Sequence, residues 1–227
     1  MIISAEVDTL ERMDQARLHE LLSRVQSGDL GVDQALESLR TLPFEDLGFA
    51  RVDHHRALRN GLPEVIFGQG KTAPQIAAIA ERIVANAQHA LITHLDAQKA
   101  AEVRPLLPAL EYYSVARIGA VGEPPSPPPE QGTILVVSAG TADLPVSEEA
   151  AVTAELMGNR VERLSDVGVA GLHRLLASLK QIQAATVLIV VAGMEGALPS
   201  VIGGLVERPV IAVPTSIGYG ASFNGLA

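Results

Sequence analysis

Along the second half of the chain, segments with the apolar pattern of a β-strand alternate with segments whose apolar residues have helical spacing. Four segments predict β-strands, three of them rich in Val and Ile and the second more polar: TILVVSAG, NRVERLSD, TVLIVVAG and RPVIAVPTS. Helical spacing lies between them at residues 145–157, 169–183 and 198–206, the last interrupted by Gly203 and Gly204. Strict alternation of strand and helix, with right-handed crossovers, predicts an α/β fold with a doubly wound parallel sheet.

The first half has a less regular pattern. Apolar residues at helical spacing in MDQARLHELLSRVQSG, ended by Gly28, and in VDQALESLRTL predict an αα-hairpin. Strand patterns follow at FARVD, EVIFG, ALITHL and YYSVARIGAV, and a helix is predicted over residues 73–86, with Thr72 as its N-cap. This half is interpreted as a smaller α+β or α/β domain.

The segment GEPPSPPPEQG, residues 122–132, separates the two halves. Its five prolines in eleven residues cannot pack as a helix or a central strand, so we predict a semi-rigid linker. The predicted domains are therefore an N-terminal domain over residues 1–121 and a C-terminal domain over residues 133–227.

Composition limits the classes of function. The 227 residues are 48% hydrophobic but only 3% aromatic, so an aliphatic core is expected, as in parallel sheets covered by helices. A net charge of −9 disfavours binding to nucleic acid or to a membrane surface. The charged N-terminus and the lack of a long apolar run predict a cytoplasmic protein. The absence of Cys excludes disulfides, thiolate zinc sites and a thiol nucleophile within these residues.

The turns that follow the four predicted strands of the second half share an unusual composition. They read SAGTAD, SDVGVAG, AGMEGALP and PTSIGYGAS, and they are rich in Gly, Ser, Thr and acids. Ligands bind outside the carboxyl ends of parallel strands, where such turns converge and donate N–H groups. Each turn alone has a simpler interpretation, since Ser138 or Asp143 would also cap the next helix.

Glu195 is the strongest candidate for a functional residue in these turns. It stands between Met194 and Gly196 directly after a buried strand, which is a poor place for a purely solvated carboxylate. Two interpretations remain open: a carboxylate stabilised by the start of the next helix, or a general base.

Two motifs of the first half carry weaker signals. EVIFGQGKT resembles a phosphate-binding loop, but a Walker A loop needs a glycine where Val65 stands, so only an auxiliary anion contact from Lys71 at a helix start is predicted. The loop DHHRALRNG concentrates an acid, two histidines and two arginines. His54 and His55 are adjacent and would face opposite ways on a strand, so they are interpreted as a solvated or interface cluster rather than a metal site.

Longer strings resemble a known family. SAGTADLPVSEEA, VAGMEGALPSVIGGL, VIAVPTSIGYGASFNG and FARVDHHRALRNGLPEVIFGQGKT are similar to the carboxylase/hydrolase family that begins synthesis of the nickel-pincer cofactor of lactate racemase. The second domain of that family is similar to the phosphoribosylaminoimidazole carboxylase fold. The resemblance implies that nicotinic acid adenine dinucleotide is carboxylated at C5 of its pyridinium ring, with CO2 or bicarbonate as co-substrate, and that the phosphoanhydride is hydrolysed to release AMP.

The resemblance also implies roles for residues. A nucleophile must add to the pyridinium ring before C5 can attack CO2, and the family uses a cysteine. Glu195 would remove the C5 proton. Asp143 would orient the ring, assist proton transfer or position a metal such as Mg2+ near the anhydride. The remaining turn residues would hold the phosphoribosyl and carboxylate groups: Ser138, Gly140, Thr141, Asp166, Gly193, Met194, Gly196, Thr215 and Ser216.

The sequence departs from the family pattern at one point. The family's cysteine lies shortly beyond GASFNGLA, and the sequence reaches Ala227 without one. We interpret the chain as part of a longer protein, because a doubly wound domain that stops there would leave one sheet face uncovered. By itself, the 227-residue chain is expected to bind the dinucleotide weakly and not to carboxylate it.

Two other functions fit parts of the sequence. An aminoimidazole ribonucleotide carboxylase or mutase would share the second domain, but its Ser-Asp-Ser-Asp and Ser-Ala-His-Arg loops correspond here to SAGTAD and SDVG. A nucleotide-binding scaffold module is the alternative from another class. Relatives of the second domain form octamers, so a homo-oligomer is expected.

Overall fold

The structure is a computed structural model that describes residues 19–39, 45–53, 56, 64–85 and 89–216. The chain divides into two compact units, Met1–Glu64 and Val65–Ala227. Residues 122–130, within the predicted linker, are exposed and form no helix or strand. The domain boundaries drawn at this linker stay a prediction.

The first unit contains two helices and a short hairpin. Helix α1 is described over residues 19–27, helix α2 spans Val32–Leu39, and strands β1 (Glu45–Asp46) and β2 (Arg51–Val52) pair antiparallel. Gly28 has a φ of +83°, a left-handed conformation that glycine adopts readily, and it separates the two helices as predicted. Residues 54, 55 and 57–63, which hold most of the DHHRALRNG cluster, lie outside the described residues.

A mixed four-stranded sheet begins the second unit. Its order is β3 (Val65–Phe67), β4 (Ala90–Thr93), β6 (Ile118–Val121) and β5 (Glu111–Tyr113), with only β3 and β4 parallel. Helix α3 (Ala73–Ala85) joins β3 to β4. Its predicted N-cap is confirmed, because Thr72 Oγ1 accepts the N–H of Gln75 and the Gln75 side chain accepts the N–H of Thr72.

Two details of this sheet differ from the prediction. YYSVARIGAV is not one strand but an antiparallel pair, β5 and β6, joined by a turn in which Arg117 takes a φ of +54°. Helix α4 (Ala97–Val103) was not predicted, and it begins at Asp96, whose side chain accepts the N–H of Lys99 at 2.7 Å.

The second sheet of this unit is parallel throughout and confirms the predicted doubly wound α/β fold. Its order is β8 (Arg160–Leu164), β7 (Thr133–Ser138), β9 (Val187–Ala192) and β10 (Val210–Pro214). The helices that alternate with these strands are α5 (Leu144–Leu156), α6 (Leu172–Ala177), α7 (Leu179–Ala184) and α8 (Ala197–Gly203). The helix predicted over residues 169–183 is in fact a 3-10 turn, Val169–Gly171, followed by α6 and α7.

The strand order places a switch point between β7 and β9. The chain moves from β7 to its neighbour β8, and then crosses back to β9 on the other side of β7. Connections on the two sides of this point leave for opposite faces of the sheet. A crevice therefore opens between β7 and β9 at their carboxyl ends.

Alternate side chains of the strands build a core on each face. One face packs Leu135, Val137, Leu188 and Val190 against residues of α6, α7 and α8. On the other face, Val136 and Val191 pack with Ala151 of α5. This alternation follows from the two-residue period of a strand and explains why the two central strands, β7 and β9, are apolar on both faces.

Helix α5 packs on a second side as well. Its residues Val152 and Leu156 join Leu91, Ile118 and Ala120 of the mixed sheet in a separate apolar cluster. The buried imidazole of His89 also hydrogen-bonds the backbone of Leu156, and burial lowers the pKa of this histidine. Helix α5 is therefore enclosed between the two sheets.

This packing predicts a large cost for truncating Leu156, which is 4% exposed. Leu156→Ala is expected to lower the free energy of unfolding by about 2–4 kcal/mol, since it removes buried carbons and leaves a cavity. Urea denaturation followed by circular dichroism measures the change. Leu106→Ala, at a site 45% exposed after α4, is the matched control and should change it by less than about 1 kcal/mol. Equal losses in the two variants would contradict the enclosed position of α5.

Candidate active site

A cavity of about 500 Å3 lies at the carboxyl edge of the parallel sheet. The turns after β7, β8 and β9 and the starts of α6 and α8 line it, so it occupies the crevice at the switch point. Six of the predicted site residues are in its wall: Gly140, Asp143, Asp166, Gly193, Met194 and Glu195.

The turns after β7 and β8 are packed closely together. The N–H of Gly168 donates to the carbonyl oxygen of Ala139 at 2.9 Å. A Cβ at Gly168 would lie only 2.9 Å from that same oxygen, so a side chain there would push the two turns apart. Glycine at this position thus holds one wall of the cavity in place.

Asp143 is 6% exposed and lies directly before α5. Its Oδ2 accepts the N–H of Gly140 at 3.0 Å, and its Oδ1 accepts the hydroxyl of Thr215 at 2.7 Å. The N–H of Thr215 donates in turn to the carbonyl oxygen of Ala192, at 3.0 Å. One carboxylate therefore connects the turns that follow β7 and β10, with β9 lying between those strands.

Glu195 has a different environment from Asp143. Its side chain is exposed on the cavity wall, and it makes no hydrogen bond or ion pair to the part of the chain that the structure describes. Its neighbours Met194 and Gly196 both have left-handed φ values, +59° and +67°. For Met194 this conformation costs about 1–2 kcal/mol, a kind of strain that collects at functional sites. Gly196 is the N-cap of α8, so Glu195 precedes the helix rather than lying in its first turn.

Arg174 lines the cavity although no sequence motif marked it. Its Nη1 donates to Oδ2 of Asp166 at 2.5 Å, and both side chains are about half exposed. Asp166 follows β8 and has a φ of +60°. The spacing of residues in VAGLHRLL shows a helix but not the path of a side chain back toward the preceding turn, so sequence reasoning had no signal for this pair.

Five predicted residues are not in the cavity wall. Thr141 and Ser216 are exposed, Thr215 is buried behind Asp143, and Lys71 follows β3 of the mixed sheet. Ser138 is the last residue of β7 and only 1% exposed, and its hydroxyl has no hydrogen-bond partner among the described residues. The alternation along β7 places Ser138 on the α5 face, with Val136. The remaining predicted residue, Gly196, adjoins the wall between Glu195 and Ala197.

Comparisons with known proteins cover almost the whole chain. The LarB/PurE-like N-terminal domain family matches residues 44–123, and the AIR carboxylase family matches residues 133–226. The uncharacterized protein MJ0165 of Methanocaldococcus jannaschii is 35% identical over 230 residues, which span 92% of this chain and 85% of that protein. The chain belongs to the LarB-like family of nickel-pincer cofactor carboxylases. All four strands of the parallel sheet, β7 to β10, lie within the AIR carboxylase match.

Membership of the LarB-like family indicates a carboxylase-type enzyme, and the cavity lies wholly within the AIR carboxylase match. None of the helices in the described part of the chain has the length and hydropathy that a membrane span requires. The same residues contain no group of three or more His, Asp or Glu side chains placed to hold a metal ion.

The bond between Thr215 and Asp143 predicts a measurable contribution to stability. Thr215→Val keeps the shape of the side chain but removes the hydroxyl that donates to the buried carboxylate. We expect the free energy of unfolding to fall by about 1–3 kcal/mol. Thr141→Val, at an exposed position in the turn after β7, is the control and should change it by about 0.5 kcal/mol or less. A Thr215→Val variant as stable as the wild type in urea would show that this bond does not fix the turn.

Proposed function

We propose that the protein carboxylates C5 of the pyridinium ring of nicotinic acid adenine dinucleotide and hydrolyses the phosphoanhydride to release AMP. The observation that carries the proposal is the cavity, in which Asp143 and Glu195 from different turns face one space of about 500 Å3. A space of this size suits a mononucleotide-sized group. The carboxylase-type family supports the class of reaction.

The chemistry of the ring determines what the site must supply. A nucleophile adds to the cationic ring and turns C5 into an enamine carbon, which then forms a bond to the carbon of CO2. A base removes the C5 proton, and expulsion of the nucleophile restores the aromatic pyridinium. The net change replaces the C5 proton with a carboxylate, and the proton leaves on the base.

The two carboxylates differ in their suitability as that base. Asp143 has both oxygens in hydrogen bonds, to Gly140 and Thr215, and it is buried. Glu195 lies on the cavity wall without a partner in the described chain, so its oxygens are available to accept a proton. We therefore assign proton removal to Glu195, and to Asp143 the orientation of the turns around the ring.

The nucleophile is left unassigned, because the 227-residue sequence contains no Cys. A small thiol added to the assay supplies the same chemistry, since the cavity is open to solvent. CO2 is the proposed co-substrate, and the apolar lining from Ala139, Ala192 and Leu198 suits this neutral molecule. Mg2+ binds proteins through one or two carboxylates together with substrate phosphates, so parallel reactions with EDTA test its role.

Glu195→Gln tests the assignment of the base. With nicotinic acid adenine dinucleotide, labelled bicarbonate and a small thiol, we expect label to enter the ring in the wild type and to fall about 100- to 10,000-fold in the variant. The dissociation constant for the dinucleotide should rise by no more than about fivefold, because Glu195 is exposed and an exposed charge contributes about 1 kcal/mol or less to binding. Glu207→Gln, an exposed acid outside this cavity, is the control and should keep the wild-type rate.

The outcomes separate the alternatives. Full labelling by Glu195→Gln would show that another group is the base. A wild type that binds the dinucleotide but never labels it with thiol present would favour a nucleotide-binding scaffold over an enzyme.

Carboxylation of aminoimidazole ribonucleotide is the second candidate, because the AIR carboxylase family matches residues 133–226. The turn after β8, Ser165–Gly171, contains no histidine, and the exposed His173 does not line the cavity. An assay with aminoimidazole ribonucleotide separates the two reactions directly.

A homo-oligomer is part of the same proposal. Leu172 and Leu176 lie one turn apart on α6, and both are nearly half exposed, which provides an apolar stripe for a second copy. We expect light scattering after size-exclusion chromatography to give a mass near eight copies of the 23.8 kDa chain. A monomer at micromolar concentration would contradict this assembly.

A further inference from the structure

The proposed substrate is larger than the cavity that would hold its reacting ring. Nicotinic acid adenine dinucleotide consists of two mononucleotides joined through their phosphates, and the space of about 500 Å3 suits one of them. The adenylate half therefore needs a second place on the protein, outside that space and within reach of it.

Two aromatic side chains meet at the carboxyl ends of β3 and β4, the parallel strands of the mixed sheet. Phe67 is the last residue of β3 and His94 directly follows β4, and their ring centroids are 4.8 Å apart at an interplanar angle of 45°. Phe67 is 49% exposed, and the side chain of His94 is 41% exposed. The Phe67–His94 pair therefore presents ring surface to solvent, on which a planar base can stack.

The backbone holds the two rings of this pair together. The N–H of Gly68, next to Phe67, donates to the carbonyl oxygen of Thr93, next to His94, at 2.8 Å. A Cβ at Gly68 would lie only 2.9 Å from the same oxygen, so glycine allows the two strand ends to approach this closely. His94 itself has a φ of +53°, a left-handed conformation that is uncommon for a residue other than glycine.

The Phe67–His94 pair lies toward the same end of α5 as the cavity, because β4 runs antiparallel to α5. His89, before β4, hydrogen-bonds the backbone of Leu156 at the end of α5. After β4, Nδ1 of His94 lies 3.5 Å from Oε1 of Glu149, in the first half of α5. Glu149 follows Asp143 by six residues, which is about 9 Å along a helix axis. The two riboses and the pyrophosphate of an extended dinucleotide can span such a distance.

Phe67 is also on the face of the mixed sheet that carries α5. The two-residue period of a strand puts Val65 and Phe67 on one face of β3 and the buried Ile66 on the other. Val65 packs against the apolar cluster that α5 forms with the mixed sheet. The Phe67–His94 pair therefore flanks α5, the helix that begins at the cavity with Asp143.

A cation for the phosphate lies in the turn after β3. The N–H of Lys71 donates to the carbonyl oxygen of Gly68 at 3.2 Å and closes a tight turn that starts directly after Phe67. The side chain of Lys71 makes no ion pair or hydrogen bond within the part of the chain that the structure describes. Its ammonium group is thus available to an anionic group of a ligand beside Phe67.

We propose that the Phe67–His94 pair binds the adenine ring of a dinucleotide whose pyridinium half occupies the cavity, and that Lys71 contacts its phosphate. The inference rests on the proposed function, because it takes the dinucleotide as the ligand. It gives the segment EVIFGQGKT a role, since this segment supplies one ring and the cation of the subsite. The same subsite would hold the AMP that the proposed hydrolysis releases.

Isothermal titration with two ligands tests the subsite on the 227-residue chain, without thiol or bicarbonate. Nicotinic acid mononucleotide lacks the adenylate half, so the wild type should bind the dinucleotide about 5- to 100-fold more tightly, as expected for one stacked base. Phe67→Leu should remove most of this preference and leave the affinity for the mononucleotide unchanged, whereas Phe67→Trp keeps a ring and should retain the preference. Leu106→Ala, which shortens another exposed apolar side chain, is the control and should bind both ligands like the wild type.

Two further variants test the other members of the subsite. His94→Asn removes the second ring but keeps a residue that tolerates the left-handed φ, and it should weaken dinucleotide binding about 3- to 10-fold. Lys71→Gln should weaken it about 3- to 10-fold at low salt and by less at high salt, because salt screens the contact with the phosphate. Lys180→Gln removes an exposed positive charge from α7 and should bind the dinucleotide like the wild type.

The failure of this inference is distinct from the failure of the proposed function. If the wild type binds neither ligand up to millimolar concentrations, the proposed substrate is wrong and the inference falls with it. If the wild type binds both ligands equally tightly, or if Phe67→Leu keeps the preference for the dinucleotide, only the adenine subsite is refuted. A Phe67→Leu variant that loses affinity for both ligands alike would indicate a merely structural effect and would also overturn the inference.

Discussion

The burial of helix α5 between two sheets is the constraint that fixes the candidate active site. Ala151 packs against Val136 and Val191 of the parallel sheet, while Val152 and Leu156 pack against the mixed sheet. A helix held on two sides cannot slide or rotate without opening cavities in two apolar clusters. Its N-terminal end, with Asp143 directly before it, is therefore held at the carboxyl edge of the parallel sheet.

The switch point then places two carboxylates with different environments, Asp143 and Glu195, beside the same cavity. Asp143 is held by donors from two turns, whereas Glu195 stands exposed on a turn bracketed by two left-handed residues. Two carboxylates in unlike surroundings are suited to unlike roles, one that keeps the turns in register and one that exchanges a proton. The tight contact of Gly168 with Ala139 closes the wall formed by the turns after β7 and β8.

The elements that follow from the periodicity of apolar residues and from sheet topology could be predicted from the sequence. Details that depend on the conformation of a single residue could not. Three of the four parallel strands are rich in Val and Ile, and strand and helix patterns alternate strictly, so the number of strands, their order along the chain and their carboxyl-end turns could be predicted. The hairpin of β5 and β6 was read as one strand because its turn contains no Gly, Asn or Pro, and Arg117 takes the left-handed φ instead. The helix predicted over residues 169–183 divides at Ser178, whose helical neighbours give no signal of a break. Arg174 was missed because its position depends on the ion pair with Asp166, which is a tertiary arrangement.

The charges of the cavity favour a particular kind of ligand. Three acids and one arginine around the same space would repel a ligand that is only anionic, and they suit one that carries a positive ring and a separate anionic group. A pyridinium nucleotide has this distribution, whereas the ring of aminoimidazole ribonucleotide lacks the fixed positive charge. Under the proposed reaction the ring is cationic before the nucleophile adds and again after it leaves. The surrounding carboxylates therefore stabilise the substrate and the rearomatised product relative to the neutral adduct. This disfavours addition of the nucleophile, and it favours expulsion of the nucleophile after C5 has been carboxylated and its proton removed.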